Sequence, residues 1–146
     1  MRLRRKPWID EAIHDYDSHI ILSGQENYKG KWREAFSHPE RPLYMELGTG
    51  KGRFIAGMSE AHPDANFVGF EVQIGVIYYA AQKIFEAERD NAKVSLFDIA
   101  GIEEIVAPGE VDRFYINFCD PWPKAKHAKR RLTYHTFLDR YARLLK

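Results

Sequence analysis

Apolar residues from position 41 onward alternate between short continuous runs and helical spacing. The short runs predict four β-strands, at residues 43–47, 67–70, 94–97 and 111–118. Apolar residues three or four positions apart predict helices at residues 54–61, 76–85 and 102–106. A last helical face is formed by Tyr134, Phe137, Leu138, Tyr141 and Leu145. Strands that alternate with helices favour an α/β fold with a doubly wound, mainly parallel sheet.

The first 40 residues have a different character, being polar and irregular with scattered aromatic residues. They predict an N-terminal basic and aromatic extension at residues 1–40, followed by a domain at residues 41–146. The stretch Tyr28–Trp32 interleaves basic and aromatic residues, which suits phosphate contacts and base stacking. The alternative, which we favour, is that Trp32 and Phe36 anchor a short helix onto the core.

Length and composition describe a globular protein. The chain has 146 residues, of which 45% are hydrophobic and 14% aromatic, and this predicts one domain with a real core. Apolar runs stay well short of the roughly 20 residues that span a membrane, and the basic N-terminus has no apolar segment behind it. We therefore expect a cytoplasmic protein with no membrane contact, a monomer without an obligate protein partner. Cys119 is the single cysteine, so an internal disulfide is excluded.

Charge is distributed unevenly although the formal net charge is only +1. One basic cluster includes Arg2, Arg4, Arg5 and Lys6, and a second extends from Lys124 to Arg131. A single basic cluster is commonly a solvated face, but two around a nearly neutral body favour a polyanionic partner.

Acidic residues recur at the ends of the predicted strands: Glu46, Glu71, Asp98 and Asp120. In an open parallel sheet, ligands bind outside the carboxyl ends of the strands. Any one of these acids could instead cap a helix or face solvent, but four in equivalent places indicate a binding site.

The glycine loop after the first predicted strand narrows the choice of ligand. Gly48, Gly50 and Gly52 have the spacing G-x-G-x-G, which fits neither the dinucleotide fingerprint nor the P-loop. Glu46 places negative charge beside this loop, and that charge favours an ammonium or sulfonium ligand over a pyrophosphate. These features indicate S-adenosylmethionine, with Glu71 accepting from the ribose hydroxyls and Asp98 from the adenine amino group. We expect no metal ion.

Three segments carry a family resemblance: 46–54, 69–71 and above all 117–133, which contains Asp-Pro-Trp-Pro-Lys. They resemble the bacterial tRNA (guanine-N7-)-methyltransferases, and the likeness covers nearly the whole chain. The first segment is shared by many class I methyltransferases, whereas the Asp-Pro-Trp-Pro-Lys segment is highly specific. Members of this family continue beyond the length of this chain, so the resemblance implies a Rossmann-like sheet that is incomplete at the C-terminus.

The resemblance also implies roles for individual residues. It implies cofactor contacts from Glu46, Gly48, Glu71, Asp98 and Asp120, with Asp120 also catalytic. It implies substrate binding by Lys124. RNA contacts are implied for Lys126, His127, Ala128, Lys129, Arg130 and Arg131.

The chemistry of guanine N7 suits this set of residues. N7 has an available lone pair, so no general base is needed, and the ring gains positive charge as it is methylated. Asp120 can stabilise that charge and can accept from guanine N1 and N2 to orient the ring. The expected reaction is methylation of a guanosine in tRNA, in the variable loop according to the resemblance.

Three other readings remain open at this point. Cys119 could be the nucleophile of a pyrimidine methyltransferase, although a packed thiol is the simpler explanation. The chain could be a non-catalytic RNA-binding module or an inactive fragment of the enzyme. A nicotinamide oxidoreductase is disfavoured by the glycine spacing.

Overall fold

The computed structural model describes residues 6–116 and 141–146. Their centre is a five-stranded sheet in which every pairing is parallel. The strands are β1 (Ile20–Ile21), β2 (Leu43–Leu47), β3 (Asn66–Glu71), β4 (Ala92–Leu96) and β5 (Arg113–Ile116), in the spatial order β1-β4-β3-β2-β5.

Helices cover both faces of this sheet. The α-helices are α1 (Ile9–Ala12), α2 (Arg53–Ala61) and α3 (Ile74–Glu86), and short 3-10 helices occupy Ile13–Tyr16, Gln25–Tyr28, Trp32–Ala35 and Ile99–Glu104. Residues 141–144 are also helical. Every helix of the described residues is too short or too polar to span a membrane.

Two apolar clusters form the core, one on each face of the sheet. Neighbouring strand residues point to opposite faces, so Phe67 packs in the cluster with α2 and α3, while Val68 packs in the other cluster. This second cluster contains Trp32, Ile102 and Tyr141. Apolar packing on both faces explains why the strands are continuous apolar runs. The predicted doubly wound α/β fold is confirmed.

The strand and helix boundaries differ from prediction mainly outside the glycine-loop region. β1 was not predicted, because two residues are too few to produce a periodic pattern. The described part of the fourth predicted strand is shorter than expected, since Val111 forms an isolated bridge with Leu145 before β5 begins. A helix was predicted at residues 102–106. The structure has a 3-10 helix at Ile99–Glu104, which begins and ends earlier. Leu145 was placed on an apolar face but is 39% exposed, whereas Leu144 is buried.

The N-terminal segment is built into the core. Trp32 is fully buried and its indole Nε1 donates to the carbonyl of Ile105 at 2.7 Å, while Phe36 is also buried. These contacts match the anchoring interpretation of this stretch. Upstream, β1 pairs with β4 and adds a strand to the sheet. The division of the chain at residue 40 stays a prediction.

Glu110, which lies shortly before β5, binds the N-terminal segment through its side chain. Its buried carboxylate accepts hydrogen bonds from the backbone amides of Gly30 at 2.9 Å, Trp32 at 3.0 Å and Ala107 at 2.8 Å. One side chain thereby satisfies three amide donors that would otherwise lack partners.

His19, just before β1, links that strand to the turn that follows α3. Its Nε2–H donates to the carbonyl of Arg89 at 2.9 Å, which leaves Nδ1 to accept from the Ser18 hydroxyl at 2.7 Å. Burial is the largest effect and lowers the pKa of the His19 imidazole, although the hydrogen bond to the Arg89 carbonyl opposes it. The nearby Lys93 ammonium lowers this pKa further, and Asp90 has a smaller opposite effect. The ring is therefore held in its neutral form.

Replacing Glu110 by Ala should lower the free energy of unfolding by about 2–4 kcal/mol, because three backbone amides, of which that of Trp32 is buried, lose their acceptor. Urea unfolding followed by circular dichroism measures this change. Glu26→Ala removes an exposed carboxylate from the same N-terminal segment and should change the free energy by less than about 0.5 kcal/mol. Equal stability of the two variants would contradict the role assigned to Glu110.

The lowered pKa of His19 predicts a pH dependence of stability. The unfolded chain binds a proton near its ordinary pKa of about 6.5, more readily than the folded chain does. The stabilisation is therefore complete above that pH and is lost as the pH falls toward the pKa of the folded state. The free energy of unfolding, measured with urea between pH 7 and pH 5, should change less with pH in His19→Gln than in the parent chain. The exposed His62, changed to Gln, is the matched control.

Candidate functional site

The order of the strands reverses beside β2. From β2 the chain proceeds outward through β3 to β4 on one side, then returns to place β5 on the other side of β2. At this switch point Leu47, the last residue of β2, pairs with Ile116 of β5. A crevice outside the carboxyl ends of these two strands is where an open α/β sheet binds its ligands.

The glycine loop lies at this edge, between β2 and α2. Gly48, Gly50 and Gly52 have φ angles of 80°, 58° and 89°, in the left-handed region that residues with a Cβ rarely adopt. Three such residues within five positions let the backbone turn sharply. The sequence spacing thus reflects a real conformational requirement.

The β3–α3 unit, residues 66–86, holds this loop along its length. The amides of Gly48 and Thr49 donate to the carbonyl of Phe70 at 3.0 and 2.9 Å. Gly52 approaches α3 so closely that a Cβ there would lie 2.7 Å from the Cα of Ala80. A larger residue at position 52 would therefore force the loop away from α3.

Glu46, the predicted acid of β2, is buried at 2% exposure. Its Oε1 accepts a hydrogen bond from the Thr49 hydroxyl, so the acid and the loop are joined. Thr49 in turn lies against Gly69 of β3, where an added Cβ would be 2.8 Å from the Thr49 Cβ. The missing side chain at Gly69 is what admits Thr49 to this position.

Glu71, the predicted acid of β3, joins the loop to the beginning of α3. Its Oε1 accepts from the Gly50 amide at 3.0 Å, and its Oε2 accepts from the amides of Val72 and Gln73 at 3.1 and 3.3 Å. Since each carboxylate oxygen can accept two hydrogen bonds, Oε1 keeps capacity for a ligand hydroxyl. The carboxylate is fixed in place by backbone donors from two sides.

Asp98, the predicted acid of β4, is exposed and caps the 3-10 helix that follows. Its Oδ1 accepts from the Ala100 amide at 2.9 Å. This is the capping role that any single strand-end acid could have. This hydrogen bond uses Oδ1, so Oδ2 can accept a hydrogen bond from a ligand.

Sequence reasoning missed three contributors to the site. Thr49 and Gly69 form the packing contact described above, and a threonine between two loop glycines was its only visible signal. Val72 is 54% exposed beside Glu71 and offers an apolar surface at the same strand end. An isolated valine after a strand gives no signal in the sequence.

The remaining predicted site residues lie outside the described residues. These are the catalytic and cofactor residue Asp120, the substrate residue Lys124, the RNA-binding residues Lys126, His127, Ala128, Lys129, Arg130 and Arg131, and Cys119. The described chain places Glu46, Gly48 and Glu71 around one loop, with Asp98 beyond the neighbouring strand β4.

Comparison with known proteins shows which family this chain resembles. A family model described as "Putative methyltransferase" matches residues 40–146. The tRNA (guanine-N(7)-)-methyltransferase of Bacillus licheniformis is 45% identical over 99% of this chain and 67% of its own length. That of Geobacillus kaustophilus is 46% identical, again over 99% of this chain, and 66% of its own length. The chain thus spans about two thirds of the length of these relatives.

Solved structures agree on the fold. The antibiotic-resistance methyltransferase Kmr matches with a TM-score of 0.55 and 22% identity, covering 72% of this chain and 54% of its own. The plantazolicin methyltransferase BpumL, solved in complex with SAH, matches with a TM-score of 0.51 and 15% identity over 97% of this chain and 49% of its own. Sequence identity of 45% and 46% over 99% of its length shows that this chain belongs to the tRNA (guanine-N(7)-)-methyltransferase family.

Proposed function

We propose that this protein transfers a methyl group from S-adenosylmethionine to N7 of a guanosine in tRNA. The observation that carries the proposal is the glycine loop fixed between Glu46 and Glu71 at the switch point of the sheet. The relatives at 45% and 46% identity, which are named for this reaction, support the choice of methyl acceptor.

The residues around the loop fit S-adenosylmethionine. The buried carboxylate of Glu46 suits the ammonium group at the amino-acid end of the cofactor, and the remaining capacity of Glu71 Oε1 suits a ribose hydroxyl. Gly48 lets the backbone come close, and Asp98 Oδ2 suits the adenine amino group. When bound, the cofactor supplies a methyl group on a positively charged sulfur.

The exposed Val72 adds an apolar contact to this set. Its side chain follows directly on Glu71 and is more than half exposed in the described chain. Burying it under a planar ring would remove apolar surface from water, which favours binding by about 25 cal/mol per Å² of apolar surface. We assign Val72 to the adenine of the cofactor.

Asp120 and Lys124 complete the proposed site from the segment that follows β5. Guanine N7 needs no base, so the contribution of Asp120 is to accept from the guanine ring and to stabilise its growing positive charge. Lys124 holds the nucleotide. Asp120 also contacts the cofactor, which brings the two reactants together on one side chain.

The basic run that follows is proposed to bind the RNA backbone. Lys126, Lys129, Arg130 and Arg131 carry the charge, and His127 and Ala128 lie between them. Phosphate contacts of this kind weaken steeply with salt. We further propose a cytoplasmic monomer that modifies the variable loop of tRNA.

One experiment tests the proposed function directly. The protein is incubated with S-adenosylmethionine and unmodified tRNA, the RNA is digested, and 7-methylguanosine is sought by mass spectrometry. Its appearance is the expected result. Methylation of a pyrimidine carbon would favour Cys119 chemistry, and RNA binding without cofactor binding would favour a non-catalytic module.

Glu71→Ala should weaken binding of S-adenosylhomocysteine by roughly tenfold or more, because a charge-assisted hydrogen bond and the anchor of the Gly50 amide are both lost. Isothermal titration calorimetry measures the affinity. Glu86→Ala, at the far end of α3, is the matched control and should bind as the parent does. Unchanged affinity in Glu71→Ala would remove this residue from the cofactor site.

Asp120→Asn should lower the rate of 7-methylguanosine formation by about a hundredfold, because the negative charge facing the methylated ring is lost. The rate is measured on saturating unmodified tRNA. Asp64→Asn changes an exposed acid remote from the switch point and should leave the rate unaltered. Full activity of Asp120→Asn would refute the catalytic assignment.

A further inference from the structure

A second group of basic and aromatic residues lies on the outer side of the glycine loop, centred on Tyr79 of α3. The Lys6 ammonium lies 5.9 Å from the centre of the Tyr79 ring and donates to its hydroxyl at 3.3 Å. The Lys51 ammonium, from the glycine loop, lies 5.4 Å from the centre of the same ring. The ring therefore joins the N-terminal segment to the loop through two cations.

These two cations have no acidic partner within the described part of the chain. Neither forms a salt bridge with a carboxylate among residues 6–116 and 141–146. Two like charges beside one ring repel each other, and the face of a single tyrosine only partly offsets that repulsion. An anion between or above them would relieve it.

The surrounding aromatic rings give this surface a fixed shape. Trp8 is 50% exposed and meets Tyr78 edge to face at 5.2 Å, and Tyr78 meets Tyr79 in the same manner at 5.1 Å. Tyr78 itself is buried, so it anchors both neighbours. The Trp8 indole is half exposed and packs on Tyr78, the neighbour of the ring that both ammonium groups face, so it can stack on a nucleic acid base.

We propose that Lys6, Trp8, Lys51 and Tyr79, here called the N-terminal patch, form a second RNA-contact surface that binds backbone phosphate of the tRNA. The inference rests on the proposed function, because it takes the substrate of that site as its ligand. The cofactor carries no phosphate, so the phosphate must come from the RNA. The patch borders the glycine loop, which places the contact next to the methyl-transfer site.

Three variants test the patch: Lys6→Ala, Lys51→Ala and the double variant. Each single change should weaken binding of unmodified tRNA by roughly three- to tenfold and reduce the slope of log affinity against log salt by about one. Binding is measured by fluorescence anisotropy at several salt concentrations. Lys6→Arg and Lys51→Arg keep the charge and should retain most of the affinity.

Lys29→Ala is the matched control. It removes one exposed lysine from the N-terminal segment beside Tyr28, which packs with Trp32 in the cluster on the opposite face of the sheet. Its tRNA affinity should stay within about twofold of the parent. Lys6→Ala should also leave the calorimetric affinity for S-adenosylhomocysteine within the same range.

The outcomes separate this inference from the proposed function. Patch variants that bind tRNA as the parent does, or that lose no more than Lys29→Ala, overturn the patch even if 7-methylguanosine is formed. A loss of S-adenosylhomocysteine affinity in Lys51→Ala with tRNA binding intact also overturns it, since the lysine would then serve the cofactor. Weakened tRNA binding in the patch variants without any 7-methylguanosine from the parent chain supports the patch and rejects the proposed function.

Discussion

The contact of the glycine loop with the β3–α3 unit is the constraint on which the site depends. Each of the five loop residues has a partner there. Gly48 and Thr49 bond to Phe70, Gly50 to Glu71, Lys51 lies over Tyr79, and Gly52 packs on Ala80. Three left-handed residues in a row of five would be costly to order alone. The contacts with β3 and α3 fix the loop in this conformation and offset that cost.

The N-terminal segment contributes to the same core. It adds β1 to one edge of the sheet and buries Trp32 against the face opposite α2 and α3, while α1 packs on the α3 face. The buried carboxylate of Glu110 accepts hydrogen bonds from the amides of residues 30, 32 and 107, and so links this segment to the end of the sheet. Lys6 therefore reaches Tyr79 from a segment that is itself packed into the core.

Prediction from the sequence succeeded where apolar periodicity was strong. Residues 43–85 gave two strands, two helices and the loop between them close to their observed bounds, because buried parallel strands and amphipathic helices each leave a regular pattern. It missed β1, whose two residues leave no period, and it could not see that Gly69 makes room for Thr49. That contact joins residues 20 positions apart, and only the folded sheet brings them together. The acids at the strand ends were identifiable, but their backbone partners were not.

The loop also separates two opposite electrostatic environments. On its inner side, the carboxylates of Glu46 and Glu71 are held by the Thr49 hydroxyl and by backbone amides. On its outer side, the Lys51 ammonium turns toward Tyr79 although Gly50, the preceding residue, is bonded to Glu71. An ion pair between Lys51 and Glu71 would cancel both charges. Holding them apart keeps negative charge for a cationic cofactor on one side of the loop and positive charge for a phosphate on the other, in a chain whose net charge is only +1.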